Sequence, residues 1–289
     1  MQKFFTLYLI LTSFITYAQQ GTIKESLKLK SSVLGREVEY SIYLPADYDK
    51  TNRRYPVLYL LHGLGDDETG WTQAGEVQSI TDRTINNGDA PAMIIVMPDA
   101  GKTWYMNSAD GKNNYEDFFI RELIPHIEAS YRIRASKEFR GIAGLSMGGF
   151  GTLLLATKHT DLFAAAAPLS SAVFTDTDAV TMADSEWARR FTVNFPQTLK
   201  GKDRLTDHWY KNSIPKIIET TPVEQLKSIR YYIDCGDDDH LIKENMALHA
   251  LLINKGIPHE FRVRDGAHTW IYWRTALPEV LKFVGASFR

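Results

Sequence analysis

Gly144-Leu145-Ser146-Met147-Gly148-Gly149 is the stretch of this 289-residue chain best suited to nucleophilic chemistry. It falls between a short strand-like run at 139–143 and a helical composition at 147–158. A serine on a sharp strand-to-helix turn stands exposed at the tip, and flanking glycines let the backbone pass without Cβ clashes. The helix N-terminus behind it favours the negative charge that develops during attack. The Gly-x-Ser-x-Gly pattern alone is weak, because a glycine-rich turn also serves simply to seat a helix on a strand. The strand-turn-helix context is what strengthens it.

A serine nucleophile needs a base. Of the eight histidines, His268 lies in the loop Gly266-Ala267-His268-Thr269-Trp270, after the last strand-like run. In a parallel sheet that loop reaches the same edge as the serine turn. His62 ends another strand but precedes Gly63, and reads better as part of a loop that shapes an anion pocket. An imidazole base in turn needs an orienting carboxylate. Asp237, Asp238 and Asp239 follow the run ending at Cys235-Gly236. Residue physics does not choose among these three; they also read as a solvated acidic loop, or as a calcium site with Asp234. The spacing does not match an EF-hand. Two main-chain donors must face the developing oxyanion. Met147 N–H follows the nucleophile, and Leu64 N–H is the best-placed donor after the apolar run at 56–61.

The elements that position these groups alternate along the chain. Val38, Tyr40, Ile42 and Leu44 alternate with polar residues, as in a half-buried strand. Residues 56–61 and 92–97 are continuous apolar runs, expected of strands buried on both faces. Phe119, Leu123 and Ile127 mark a helix between 115 and 131. Further strands are expected at 164–169, 229–234 and 260–263, with helices at 244–254 and 277–283. Such alternation predicts a mostly parallel central sheet with helices on both faces. The polar stretch at about 174–226 breaks the rhythm and reads as a helical or irregular insertion over the sheet's edge near the site, a candidate lid. No repeat or linker divides the chain, so residues 19–289 are expected to form one domain.

Composition narrows the function class. Lys+Arg total 33 against 35 Asp+Glu, so the chain carries no general footprint for nucleic acid. A single Cys allows no intrachain disulfide and no Cys-rich zinc site. Lys3, the apolar run from Phe4 to Ile15 and Thr16-Tyr17-Ala18 read as a signal peptide at 1–18, cut after Ala18. The product is then an exported, periplasmic or extracellular protein, free of the membrane after cleavage. The residue after the cut is Gln19 and the one Cys is Cys235, so a lipoprotein is not expected.

The chain resembles the putative esterase family of α/β-hydrolases, and within it carbohydrate esterase family one, the feruloyl and acetylxylan esterases. The matching stretches are Tyr59 to Gly65, Met97-Pro98-Asp99, Glu122 to Pro125, Gly144 to Gly149, Asp234 to Asp239 and Gly266 to Trp270. The resemblance implies an α/β-hydrolase fold with Ser146 as nucleophile, His268 as base, Asp239 as the third member, and Leu64 and Met147 as oxyanion donors. His240, where the family commonly has an apolar or aromatic residue, and Ala267, where it often has Gly, are departures. The implied reaction is ester hydrolysis through an acyl-enzyme, without metal or organic cofactor. The implied substrate is an esterified oligosaccharide or small ester, with feruloyl or acetyl groups on xylan favoured. Trp71, Trp104, Tyr105, Trp270 and Trp273, near the loops around Ser146, are candidates to stack on it. The rival readings are an S-formylglutathione hydrolase or general short-chain carboxylesterase, a mycolyltransferase-type acyltransferase, and an inactive carbohydrate-binding protein. Oligomeric state is not legible.

Overall fold

The computed structural model describes residues 20–288, so the leader expected at 1–18 lies outside the described residues. Eight strands form one sheet: β1 (Thr22–Ser31), β2 (Arg36–Leu44), β3 (Val57–Leu61), β4 (Ile94–Pro98), β5 (Arg140–Leu145), β6 (Ala165–Leu169), β7 (Arg230–Gly236) and β8 (His259–Arg264). Their spatial order is β1-β2-β4-β3-β5-β6-β7-β8. The β1–β2 and β2–β4 pairings are antiparallel; every later pairing is parallel. Helices cover both faces, as the alternation of the sequence predicts.

Every residue of β3, β4, β5 and β6 is buried, which is why β3, β4 and β6 read as unbroken apolar runs. The two-residue period sorts their side chains into two cores. Val57, Tyr59, Leu61 and Ile142 join the helix Met147–Lys158 on one face. Leu58, Leu60, Ala143 and Leu145 meet Val77 and Ile80 and the C-terminal helix Trp270–Gly285 on the other. Small residues set how closely the layers approach. A Cβ on Gly141 would lie 2.4 Å from Val284 Cγ1.

Three elements differ from the sequence expectation. β1 was not expected. Its pattern Thr-Ile-Lys-Glu-Ser-Leu-Lys-Leu-Lys-Ser has no buried position before Ser31, as suits an edge strand guarded by lysines. The helix Val77–Asn86 was also missed, because only one face of its polar sequence enters the core. The last helix contains the expected 277–283 stretch but starts earlier, at Trp270, where the Thr269 hydroxyl caps it by accepting from the Tyr272 amide. A further detail is a π-turn, Phe119–Leu123, inside the expected helix. Its Glu122 accepts from the Ser32 and Val33 amides and from the Ser31 hydroxyl, pinning the β1–β2 turn.

The stretch at 174–226 is helical and fills the β6–β7 crossover. Its polar sequence conceals an aromatic inner face. Trp187 lies 4.7 Å from Phe191, 5.2 Å from Phe195 and 6.1 Å from Trp209, ring centroid to centroid. Arg204 is buried against the Trp187 ring and donates to the Ala179 and Met182 carbonyls and to Asp184. Among the described residues no helix is long and apolar enough to cross a membrane.

Candidate active site

Ser146 occupies the turn between β5 and its helix at φ 54°, ψ −113°. A non-glycine residue there stores about 1–3 kcal/mol of strain, held only where the surroundings fix it. The main chain supplies that constraint. The Ser146 amide donates to Leu169 O at 2.9 Å, and its carbonyl accepts from Phe150 N and Ala172 N at 3.0 and 3.2 Å. Glycine is required where the helix lies against the strands. A Cβ on Gly144 would meet Gly148 O at 2.6 Å, and one on Gly148 would meet Leu61 O at 2.5 Å.

The loops after β7 and β8 are zipped together by backbone. Asp237 N donates to Arg264 O and Asp238 N to Gly266 O, both at 3.0 Å, and Gly266 N returns a bond to Asp237 Oδ1 at 3.0 Å. A Cβ on Gly236 would sit 2.0 Å from Gly266 O, so only glycine allows this approach. Under the two loops lies Asp234, fully buried, accepting from Tyr232 Oη at 2.6 Å, Arg264 Nη2 at 2.7 Å and Tyr272 Oη. It therefore braces β7, β8 and the C-terminal helix at once. This placement removes it from the calcium site that was one reading of the acidic loop.

The result is a continuous hydrogen-bonded line. His268 Nε2 is 3.0 Å from Ser146 Oγ, and His268 Nδ1 is 2.9 Å from Asp239 Oδ2. The carboxylate beside Nδ1 places the ring proton there, which leaves Nε2 free to accept from the serine. Asp239 is 2% exposed whereas Asp237 and Asp238 are exposed, so burial separates the three acids. Burial alone would raise the Asp239 carboxyl, but hydrogen bonds from His268, the Leu241 amide and Ser170 outweigh it and hold it below the ordinary range.

His62 orients one of the expected oxyanion donors. Its Nε2 accepts from Ala100 N at 2.9 Å, so the proton is on Nδ1, which donates to Gly63 O at 2.8 Å. In a trans peptide the following N–H points opposite to that carbonyl. His62 thus fixes the direction of the Leu64 N–H. Gly63 lies close beneath the nucleophile: a Cβ there would be 3.5 Å from Ser146 Cβ. Met147 N–H opens the 12-residue helix behind Ser146, where first-turn amides lack intrahelical acceptors.

The expectation for the aromatic residues is corrected in part. Trp71, Trp104 and Tyr105 are at most 1% exposed, so they have no face to offer a substrate. Their polar tips hold main chain instead. Trp71 Nε1 donates to Leu61 O at 3.0 Å, Trp104 Nε1 to Arg190 O at 2.8 Å, and Tyr105 Oη to His62 O at 3.0 Å. Trp273 is also buried, edge-on to His268 at 4.9 Å, with its Nε1 donating to Ser170 Oγ at 3.1 Å. Trp270 alone of the five is half-exposed. Trp71→Phe is accordingly expected to strand the buried Leu61 carbonyl and destabilise the fold by about 1–3 kcal/mol, with KM for short esters unchanged. Urea unfolding beside ester kinetics checks this; a raised KM at unchanged stability would restore the stacking role.

Sequence reasoning missed the residues that fasten the site from behind. Asn245 is fully buried, donating to Ser171 O at 3.0 Å and Leu241 O at 2.8 Å, and accepting from Ser171 N at 3.2 Å. It ties the loop after β6 to the helix Ile242–Asn254 that follows Asp239. An Asn on a helical run carries no signal of such a role until the fold brings Ser171 beside it. Cys235 is buried next to these groups; burial, then the Asp239 charge, pushes its thiol up to about 12. A thiol-specific disulfide reagent is therefore expected to label it only on unfolding. Rapid labelling of the native protein would contradict its burial.

A parallel sheet carrying a serine on a strained strand-to-helix turn, with acid and histidine on the loops after later strands, defines an α/β-hydrolase. The family model described as Putative esterase matches residues 31–284, and the chain belongs to that family. Esterase Rv1288 of Mycobacterium tuberculosis is 31% identical over 280 residues, covering 84% of this chain and 55% of that protein. An endo-1,4-beta-xylanase/feruloyl esterase of Xylanibacter ruminicola is 28% identical over 259 residues, covering 86% of this chain and 30% of that protein. The chain thus spans about half or less of the length of these relatives. A solved ferulic acid esterase structure superposes with a TM-score of 0.80 at 32% identity, covering 93% of this chain and 99% of that one.

Proposed function

We propose that the chain is a serine carboxylic-ester hydrolase that works through an acyl-enzyme. The observation that carries this is the line from Asp239 through His268 to Ser146, with 2.9 and 3.0 Å contacts, at a strained turn. Ser146 Oγ attacks the ester carbonyl as His268 Nε2 takes its proton. The oxyanion receives the Leu64 and Met147 N–H groups. Asp239, held ionised, stabilises the imidazolium. His268 then protonates the leaving alcohol, the C–O bond breaks, and a water molecule deprotonated by the same nitrogen releases the acid.

The substrate class proposed is a feruloyl or acetyl ester on xylan or its oligosaccharides. Support comes from the feruloyl esterase named among the relatives and from a groove of about 210 Å³ at the loops that follow β6 and β7. Phe174, Met182, Val173 and Leu241 give the groove apolar wall, and Arg190, Asp178, Glu186 and Glu244 give it charged edges. It adjoins the site through the chain: Leu241 N bonds Asp239, and Val173 follows Ala172, whose amide bonds Ser146 O. A flat phenolic acyl group suits such walls. Product analysis on feruloylated and acetylated xylan oligosaccharides is the test. Ferulate release is expected; release of acetate alone would transfer the proposal to the acetyl ester, and release of neither would remove xylan as the substrate.

Export belongs to the same proposal. The basic start, apolar run and Ala18 support cleavage of a leader. Sequencing the N-terminus of the secreted protein should begin at Gln19; an unprocessed chain retained in the cytoplasm would overturn it.

A further inference from the structure

We propose that Asp239, His240 and His268 form a site for a divalent transition-metal ion, with Zn²⁺ as the reference, whose occupation switches hydrolysis off. The inhibition rests on the reading of His268 as the base; the metal site itself does not. One carboxylate and two imidazoles are a donor set that suits Zn²⁺. The ligating atoms all lie within 4.8 Å of one another. Bonds of about 2.0–2.1 Å to a tetrahedral ion set ligand atoms about 3.3 Å apart. Asp239 Oδ1 is 3.0 Å from His268 Nδ1 and 3.6 Å from His240 Nδ1, so the two distances from one carboxylate oxygen fall on either side of that spacing. The His240 side chain is 63% exposed, so an ion enters from solvent and keeps a corner for water. The two imidazoles already lie 4.6 Å apart, centroid to centroid. Asp239 is also pre-placed, because the Leu241 amide holds Oδ1 at 2.9 Å.

Every serine triad has an acid-histidine pair; His240 is what turns this pair into three converging donors. The consequence for catalysis follows from the tautomer. A metal bound at His268 Nδ1 displaces the proton there, and the neutral ring then carries its proton on Nε2. That nitrogen faces Ser146 Oγ at 3.0 Å as a donor and no longer accepts the serine proton. No electron moves, and removal of the ion restores the original tautomer.

The test uses zinc chloride in chelator-free buffer, with two readouts. Calorimetry on Ser146→Ala, which keeps all three donors, should show one ion bound per chain. Hydrolysis of p-nitrophenyl acetate by the unsubstituted enzyme should fall over the same zinc range and recover with EDTA. His240→Phe, compared with its own metal-free rate, should need at least about tenfold more zinc in both readouts, since even outer-shell changes cost that much. Absence of binding to Ser146→Ala, or equal zinc affinity in His240→Phe, would overturn the site. His240-dependent binding without inhibition would leave the site standing and overturn the assignment of His268 as the base.

Discussion

Ser146→Ala is expected to lower kcat for short p-nitrophenyl esters by about 10⁶-fold, with the protein still folded. The hydroxyl is the nucleophile that the line activates, and without it His268 has no serine proton to accept. A residual rate above that of water is expected, because the Leu64 and Met147 amides still favour the oxyanion. Alanine does not relieve the backbone at φ 54°, so stability should change little. Ser146→Gly should be equally inactive yet more stable than Ser146→Ala, since glycine adopts this conformation without the Cβ penalty. Thermal unfolding of the two variants measures that difference; equal midpoints would show that the turn stores no strain.

The second large effect is expected of Asp239→Asn, a loss of about 10⁴-fold in kcat. The geometry specifies why. Asp239 Oδ1 accepts from the Leu241 amide at 2.9 Å, and His268 Nδ1 lies against both oxygens, 2.9 Å from Oδ2 and 3.0 Å from Oδ1, so Oδ2 has the imidazole as its closest partner. In asparagine the Leu241 amide selects the carbonyl oxygen, so the NH₂ group is turned toward His268. That group donates to Nδ1 and drives the ring proton onto Nε2, where it blocks the base. Asp238→Asn, exposed and outside the line, should keep nearly full activity. Steady-state kinetics on the pair decides it: a larger loss in Asp238→Asn would move the triad acid.

How much of this was legible in the sequence follows from burial. β3, β4 and β6 are covered on both faces, and no polar residue interrupts their apolar runs. The edge strand β1 has no such covering, so its Lys-rich sequence gave no strand signal. Ser146 and His268 could be placed because glycines mark sharp turns at strand ends, and those turns are local. Asp239 could not be separated from Asp237 and Asp238 by residue type. What distinguishes it is desolvation beneath His268, a product of the β7 and β8 loops meeting through Gly236 and Gly266. The aromatic residues failed for the opposite reason. Proximity in sequence to the site loops did not say which way a ring points, and Trp71, Trp104 and Tyr105 point into the core.

Capture of the covalent intermediate identifies the nucleophile outright. The protein is mixed with p-nitrophenyl acetate, quenched in acid within the turnover time, digested and analysed by mass spectrometry. A single acetyl group is expected on the peptide bearing Ser146, formed with the first burst of p-nitrophenol and absent from Ser146→Ala. Hydrolysis that proceeds with no acetylated Ser146, or with the acetyl group on another residue, would contradict Ser146 as the nucleophile.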